Sequence, residues 1–351
     1  MKSLGAIKSK MNFNNSNIDW SKIDEIIQKA PRILLTTHEN PDGDGLGSEI
    51  GIYYHLKELG KDVRIINYSP LPTNFYFLNS DRIFETYNIN THENWITGVD
   101  LVIVFDVGDF KRTRTVADAV LKHKIKILNI DHHPHPEDHS FAYNCVDLKA
   151  SATGSMVYRY LKKNRDKPIE KKSLDGLYTA VMTDTGCFKY SNTNVECHQI
   201  AIECLNSGVE THKIYQNIYE NSTKPRMKLM GEFLSNINYE LSDMFAWSLV
   251  TLEMLKKAKA KGNDVEGFSD MARSITGVEV AVMIFQQEET MCRINFRSKG
   301  KIIINDIARE LGGGGHPLAA GAKIEGEIKE VSKMVVDTTI KALKNKIQQL
   351  A

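Results

Sequence analysis

The sequence predicts an α/β fold, in which a parallel β-sheet carries helices on both faces and a smaller α+β domain follows. Short apolar runs alternate with stretches of helical periodicity through the first half of the chain, which is typical of a parallel sheet. The second half has paired strand patterns, a glycine-rich loop and a long C-terminal helix. With 351 residues, the chain is long enough for two domains.

The elements of the first domain follow from apolar patterning. Continuous apolar runs predict strands that are buried on both faces, and these are 32–37, 63–67, 101–105 and 125–130. Apolar residues at helical spacing predict the intervening helices, which are 44–60, 113–122, 151–163, 170–182 and 194–206. Gly60 stands where a helix C-cap is expected.

The polar stretch 219–226 contains Pro225 and is typical of a linker, with a helix over 227–236 after it. Strand patterns then follow at 247–251, 278–286 and 291–297, and the last helix starts at Glu327. We therefore expect four parts: an N-terminal tail (1–17), a first domain (18–218), a linker and connecting helix (219–236) and a second domain (237–351).

Composition excludes several classes of protein. Forty-five Lys and Arg residues against 44 Asp and Glu residues leave a formal charge of +1, so no basic field is available for long duplex DNA. The best apolar run, 280–285, is far too short to cross a membrane. Five cysteines without a CxxC pair favour a reducing compartment, and we expect the cytoplasm.

Carboxylates and imidazoles cluster in four stretches, which are 38–44 (HENPDGD), Asp106, 131–133 (DHH) and Asp184. The first three directly follow predicted strands, where α/β proteins bind ligands, and the fourth lies in a predicted loop. Asp106 alone could equally be a helix N-cap. All four together predict a metal centre, because these groups would repel one another without cations.

Aspartate with neutral histidine and no thiolate favours Mn²⁺, with Mg²⁺, Co²⁺ or Zn²⁺ also compatible. The number of candidate ligands allows two ions, and two ions can support displacement at phosphorus. We expect Gly43 and Gly45 to relieve the backbone of the turn that carries Asp42 and Asp44.

The glycine-rich stretch 311–321 (LGGGGHPLAAG) has two interpretations. Successive glycines can expose backbone N–H groups to phosphate oxygens, and His316, Arg297 and Lys299 would add positive charge. Alternatively, the glycines form a plain tight turn. The stretch matches neither a Walker loop nor a dinucleotide-binding fingerprint.

Five motifs together resemble the DHH phosphoesterase superfamily: HENPDGDGLGS (38–48), FDVGDFKRT (105–113), IDHHP (130–134), TDTGCF (183–188) and GGGGHPLAAG (312–321). Within it, the chain resembles the cytosolic oligoribonuclease and 3′-phosphoadenosine 5′-phosphate (pAp) phosphatase group, also labelled exopolyphosphatase-related. The resemblance implies a DHH domain and a DHH-associated domain across a cleft, and it allows a homodimer. The chain departs from the family at 151–155 (SATGS), where an acidic residue is often found.

The resemblance also implies roles for individual residues. His38 and Asp42 would bind one ion, Asp44, His132 and Asp184 the other, and Asp106 would bridge them. Asp131 would orient an imidazole, and His133 would face the scissile phosphate. The residues that match the family's substrate contacts are Arg112, Arg297, Ser298, Gly313, Gly314, Gly315 and His316.

The expected activity is hydrolysis of short single-stranded oligoribonucleotides and of the nucleotide bisphosphate pAp, with a metal-bridging hydroxide attacking phosphorus. A content of 8% aromatic residues and the lack of a long basic run argue against a channel for long single strands. The open alternatives are a phosphodiesterase acting on cyclic or linear dinucleotides, an exopolyphosphatase or pyrophosphatase, and a nucleotide sensor on a former hydrolase scaffold.

Overall fold

The computed structural model describes residues 11–14 and 18–350. The chain divides into two compact units, Met1–Asn221 and Ser222–Ala351. No helix within the described part of the chain is long and apolar enough to span a membrane.

The N-terminal unit is built on a seven-stranded sheet in which every neighbouring pair is parallel. The strand order is β1-β7-β6-β5-β2-β3-β4. The strands are β1 Met11–Asn14, β2 Arg32–Thr37, β3 Asp62–Asn67, β4 Phe84–Thr86, β5 Leu101–Phe105, β6 Lys126–Asp131 and β7 Tyr143–Val146. The predicted α/β class is confirmed.

Helices cover both faces of this sheet. They are α1 Trp20–Gln28, α2 Gly43–Glu58, α3 Ile89–Ile96, α4 Thr115–Lys122, α5 Thr153–Asn164, α6 Lys171–Asp184, α7 Val195–Asn206 and α8 Thr211–Tyr219. Alternate residues of β5 enter two different cores: Ile103 packs into the core under α2, α5 and α6, whereas Val102 and Val104 pack into the opposite core with α4. Burial on both faces explains why the strand is continuously apolar.

Three strands of this unit escape the sequence prediction. The strands β4 and β7 are only three and four residues long and carry polar residues, so they lack a continuous apolar run. Within the predicted N-terminal tail, Met11–Asn14 form a strand that pairs in parallel with β7 at the sheet edge. Residues 1–10 and 15–17 of that tail lie outside the described residues.

The C-terminal unit contains a six-stranded mixed sheet of order β12-β13-β11-β10-β9-β8. Its strands are β8 Asn238–Glu240, β9 Phe245–Val250, β10 Val280–Glu288, β11 Met291–Ser298, β12 Gly314–His316 and β13 Ala319–Glu325. Its helices are α9 Lys224–Ser235, α10 Leu252–Ala258, α11 Phe268–Arg273, α12 Asn305–Glu310 and α13 Ile328–Leu350. Alternate residues of β10 enter separate cores on the two faces of this sheet.

The predicted linker is shorter in the structure. Tyr219 still belongs to α8, and α9 already begins at Lys224. The Thr223 side chain accepts a hydrogen bond from the Arg226 backbone N–H, and Pro225 lies in the first helical turn. A backbone N–H in the first helical turn has no partner inside the helix, so proline loses nothing there by lacking one. Pro225 therefore belongs to the start of the helix and does not precede it.

Glu49 is a fully buried carboxyl group on α2. Its Oε2 accepts a hydrogen bond of 3.0 Å from the Asn67 side chain, and Oε1 has no hydrogen-bond partner among the described residues. Burial raises the pKa of Glu49 from its usual 4.5 to about 8, although the Asn67 hydrogen bond opposes the shift. The folded chain therefore holds this side chain in its neutral form at pH 7.

Glu49→Gln should change how stability depends on pH in the metal-free protein. Because the pKa of Glu49 is higher in the folded chain than in the unfolded chain, the wild type should lose free energy of unfolding relative to the variant as pH rises from 4.5 to about 8. The loss should be at most ~1.4 kcal/mol per pH unit. Urea unfolding of both proteins at pH 5, 6.5 and 8 measures this loss. A difference in free energy of unfolding that does not change with pH would contradict the neutral form of Glu49.

Candidate metal centre

Three neighbouring strands deliver side chains to one edge of the N-terminal sheet. His38 directly follows β2, Asp106 follows β5, and Asp131 ends β6, with His132 after it. Since β6, β5 and β2 are adjacent and parallel, their carboxyl ends meet at the same edge. The structure therefore brings these stretches together where ligands bind in such sheets.

Two helix ends supply the remaining carboxylates. Asp42 is the N-cap of α2 and accepts hydrogen bonds from the backbone N–H groups of Asp44 and Gly45 at 3.1 and 3.3 Å. Asp44 lies in the first turn of the same helix. Asp184 is the last residue of α6 and not, as the sequence predicts, part of a loop.

Gly43 and Gly45 serve a different purpose from the predicted one. Both are helical, and neither has a positive φ. A Cβ on Gly43 would lie 2.4 Å from Thr183 Oγ1, and a Cβ on Gly45 would lie 2.2 Å from Thr37 Oγ1. Glycine is therefore required because α2 approaches its neighbours closely, and not because a turn needs backbone freedom.

The first candidate ligand set is His38, Asp42 and Asp106. The His38 Nε2 atom lies 3.6 Å from Asp42 Oδ2 and 3.7 Å from Asp106 Oδ2. Its other nitrogen, Nδ1, lies 2.7 Å from the Glu39 carbonyl oxygen, and this contact turns Nε2 toward the carboxylates.

The second set is Asp44, His132 and Asp184. The His132 Nε2 atom lies 3.6 Å from Asp44 Oδ2 and 3.7 Å from Asp184 Oδ2, while Nδ1 lies 3.2 Å from the Ala150 carbonyl oxygen. Nε2 is buried and has no hydrogen-bond partner in the described part of the chain. A buried nitrogen without a partner, facing carboxylates, fits a metal ligand.

Asp106 lies between the two sets. Its Oδ2 faces His38, and its Oδ1 lies 3.5 Å from His132 Nε2. Its φ of 58° places it in the left-handed region, which is uncommon for a residue other than glycine and turns the side chain away from the strand direction. Burial opposes ionisation, yet the facing imidazoles of His132, His133 and His38 hold the pKa of Asp106 well below its usual range.

Asp44 is held by a segment whose role the sequence left unexplained. Its Oδ2 accepts from the Thr153 backbone N–H at 2.7 Å, and its Oδ1 accepts from the Gly154 N–H at 2.8 Å. These N–H groups begin helix α5, where backbone donors have no partner inside the helix. The departure from the family pattern at 151–155 was the only signal in the sequence, and it did not indicate this contact.

Protonation shows how strongly the cluster needs positive charge. Burial, followed by the nearby Asp106 carboxylate, raises the pKa of Asp44 well above its usual range, and burial raises that of Asp184 to about 7. Despite burial, the facing carboxylates raise the pKa of His38 to about 10. Protons take the place of cations here, so divalent ions fit this donor set and should release protons on binding.

Asp131 connects His133 to the centre. It is fully buried, and its Oδ2 accepts from the backbone N–H groups of Val107 and Gly108 at 3.1 and 2.7 Å. The His133 Nδ1 atom lies 3.0 Å from Oδ1 of both Asp131 and Asp106. Burial opposes protonation, but these carboxylates raise the pKa of His133 to about 10.

The predicted substrate contacts have partners of their own. The Arg112 guanidinium donates to the Val107 carbonyl at 3.1 Å. In the C-terminal unit, Arg297 Nε donates to Asp270 at 3.3 Å, and the Ser298 hydroxyl donates to Glu279 Oε1 at 3.3 Å.

The glycine-rich stretch forms mainly a helix end and a hairpin. The Gly313 N–H donates to the Ala308 carbonyl at 2.8 Å, which ends α12. Gly314, Gly315 and His316 form strand β12, which pairs with β13. A Cβ on Gly313 would lie 2.0 Å from the Gly321 carbonyl oxygen, so close packing also requires glycine here.

A parallel sheet with two carboxylate–imidazole sets at its carboxyl edge suits a two-metal site of the kind that phosphatases and nucleases use. The model of the DHH family, N-terminal domain, matches residues 32–181, and that of the DHHA1 domain matches residues 247–348. The chain belongs to the DHH family of phosphoesterases, which are hydrolases.

Relatives cover most of the chain. It is 30% identical over 295 residues to a Bacillus subtilis protein named bifunctional oligoribonuclease and PAP phosphatase NrnA, across 83% of this chain and 89% of that protein. A Thermus thermophilus protein of the same name is also 30% identical, across 84% of each chain. The crystal structure of a Bacteroides fragilis protein called exopolyphosphatase-related superposes with a TM-score of 0.87 at 28% identity, covering 95% of this chain and 97% of that one.

Gly45→Ala should destabilise the N-terminal unit by about 1–3 kcal/mol, because the new Cβ would collide with the buried Thr37 hydroxyl. The matched control is Gly231→Ala in helix α9, where a Cβ would have no atom within 4 Å. That change should stabilise its helix by about 0.5–1 kcal/mol. Urea unfolding measures both, and equal effects would contradict the packing argument.

Proposed function

We propose that this protein hydrolyses short oligoribonucleotides and pAp, using two divalent ions at the sheet edge. The observation that carries the proposal is the pair of ligand sets with Asp106 between them. It is supported by relatives named for oligoribonuclease and PAP phosphatase activity that align over more than four-fifths of the chain.

His38 and Asp42 would hold one ion, Asp44, His132 and Asp184 the other, and Asp106 both. The donor set of carboxylates and imidazoles without thiolate favours Mn²⁺ and is also compatible with Mg²⁺, Co²⁺ or Zn²⁺. When bound, two such ions supply Lewis acidity at phosphorus and a water nucleophile at neutral pH.

The protein's own residues then hold the phosphate and move a proton. Asp131 and Asp106 fix the Nδ1 side of the His133 ring, so the protonated imidazole is held in one orientation. His133 would stabilise the scissile phosphate and donate a proton from Nε2 to the leaving oxygen. The raised pKa of His133 is consistent with a ring that carries this proton at neutral pH.

The C-terminal unit would bind the far end of the substrate. Arg297 and Ser298 end strand β11, and Asp270 holds the Arg297 guanidinium in place. With Gly313 to Gly315 and His316, they would contact a phosphate or nucleotide end. Arg112, in the N-terminal unit, would be a further phosphate contact. A few local cations in a chain of net charge +1 suit short substrates better than long strands. The cytoplasmic location and the homodimer stay predictions.

A hydrolysis panel tests the substrate class. In the presence of Mn²⁺, the protein should release mononucleotides from di- to pentaribonucleotides and phosphate from pAp, because the ligand sets suit phosphorus chemistry and the relatives carry those names. Cyclic dinucleotides, pyrophosphate and short polyphosphate complete the panel, and chromatography separates the products.

The double variant Asp131→Ala/His132→Ala serves as the blank for the panel, together with the wild type in EDTA. Both should be inactive. Activity confined to polyphosphate, pyrophosphate or cyclic dinucleotides would agree with the proposed metal centre but overturn the proposed substrates. Equal activity in EDTA would overturn the metal centre itself.

Two single variants separate the chemistry from substrate capture. Asp106→Ala should abolish turnover and lower the affinity for both ions, because Asp106 faces both ligand sets. His316→Ala should mainly raise KM and leave kcat within a few-fold, because it would act on the far end of the substrate. Steady-state kinetics on pAp distinguishes them, and comparable losses of kcat in both would argue against this division.

A further inference from the structure

Asn192 lies in the segment between α6 and α7, and its side chain contacts two parts of the metal centre. Its Nδ2 donates to the Ser151 carbonyl oxygen at 3.0 Å and to the Asp184 carbonyl oxygen at 3.1 Å. The same nitrogen lies 3.5 Å from Asp184 Oδ2, the carboxylate oxygen that faces His132. One amide group therefore contacts both the backbone and the side chain of a candidate ligand.

The segment that carries Asn192 is tightly built. The fully buried Thr185 accepts three hydrogen bonds: its hydroxyl from the Phe188 N–H at 3.1 Å, and its carbonyl from the N–H groups of Lys189 and Tyr190 at 3.0 Å. Gly186 has a φ of 55°, and a Cβ there would lie 2.4 Å from the Tyr190 ring. These contacts return the chain to the end of α6 and determine where Asn192 stands.

Ser151 links Asn192 to a second candidate ligand. It lies two residues before the start of α5, whose Thr153 and Gly154 N–H groups hold both oxygens of Asp44. The Asn192 amide thus connects Asp184 to the segment whose N–H groups donate to Asp44. These two carboxylates belong to the same ligand set, around His132 Nε2.

The chemistry of the position favours a primary amide. All three acceptors are oxygens, and an amide nitrogen brings two protons to them without adding charge. The Asp184 carbonyl ends α6, where carbonyls lack partners inside the helix, so the side chain also satisfies a helix end.

We propose that Asn192 is a positioning residue for one of the two ions, the ion held by Asp44, His132 and Asp184. It sets the distance between Asp44 and Asp184 by tying the Ser151 carbonyl to the end of α6. The inference rests on the proposed two-ion centre and deepens it. Partners that orient metal ligands typically contribute 10- to 100-fold to metal affinity.

Calorimetric titration of MnCl₂ into metal-free protein tests the proposal, with wild type, Asn192→Ala and Asn192→Leu. Leucine has nearly the shape of asparagine but no donors, so it decides the test should the alanine variant fail to fold. The matched control is Asn217→Ala, whose amide donates to the Lys213 carbonyl of its own helix and, among the described residues, to no other group. Thermal unfolding of each metal-free protein accompanies the titrations.

The wild type and the control should bind two ions with the same two dissociation constants. In both Asn192 variants, one dissociation constant should rise about 10- to 100-fold while the other stays unchanged. The Mn²⁺ concentration for half-maximal pAp hydrolysis should rise with it, and kcat should return toward the wild-type value at saturating Mn²⁺.

Two results overturn the inference while leaving the two-ion centre intact. The first is wild-type affinity for both ions in both Asn192 variants. The second is an equal loss of affinity for both ions together with a lower unfolding temperature of the metal-free protein. This result would indicate that Asn192 has a structural role only. A wild type that binds no Mn²⁺ would instead overturn the proposed centre itself.

Discussion

Repulsion between buried carboxylates is the constraint on which the N-terminal unit depends. Four aspartates converge on two imidazoles at one sheet edge, and two of them, Asp44 and Asp106, are almost completely buried. Uncompensated charge at such a place is costly, so the surrounding structure must hold each carboxylate in position and leave room for a cation. The starts of two helices supply part of this support.

Backbone N–H groups, and not Lys or Arg side chains, hold three carboxylates of the site. Asp42 accepts from the first turn of α2, Asp44 from the start of α5, and Asp131 from the amides after Asp106. None of the hydrogen bonds to these groups within the described residues comes from Lys or Arg. Backbone donors orient a carboxylate without neutralising it, so the negative charge remains available to divalent ions.

The C-terminal unit contains most of the candidate phosphate contacts. It has its own cores on the two faces of a mixed sheet, and ion pairs and helix ends already engage its candidate phosphate contacts. Asp270 contacts both Arg297 and Arg273, which keeps the two cations side by side without full neutralisation. Under the proposed function, the reaction and the choice of substrate would fall to different parts of the chain.

The sequence by itself determined the elements whose signal is local. Continuous apolar runs predicted strands such as Leu101–Phe105, because a strand buried on both faces must be apolar at every position. The same runs placed His38, Asp106 and the DHH triplet at one sheet edge. The short strands β4 and β7 and the edge strand β1 were missed, since their pairing comes from neighbours and not from their own residues.

Only the tertiary structure decided what depends on contacts between distant segments. The N–H groups at Thr153 and Gly154 reach Asp44 across more than a hundred residues, and no local pattern indicates such a contact. The need for glycine at position 45 arises from the Thr37 hydroxyl, and the position of Asp184 arises from the end of α6. Residue types at strand ends predict the chemistry, whereas the distances and supporting hydrogen bonds exist only once the chain has folded.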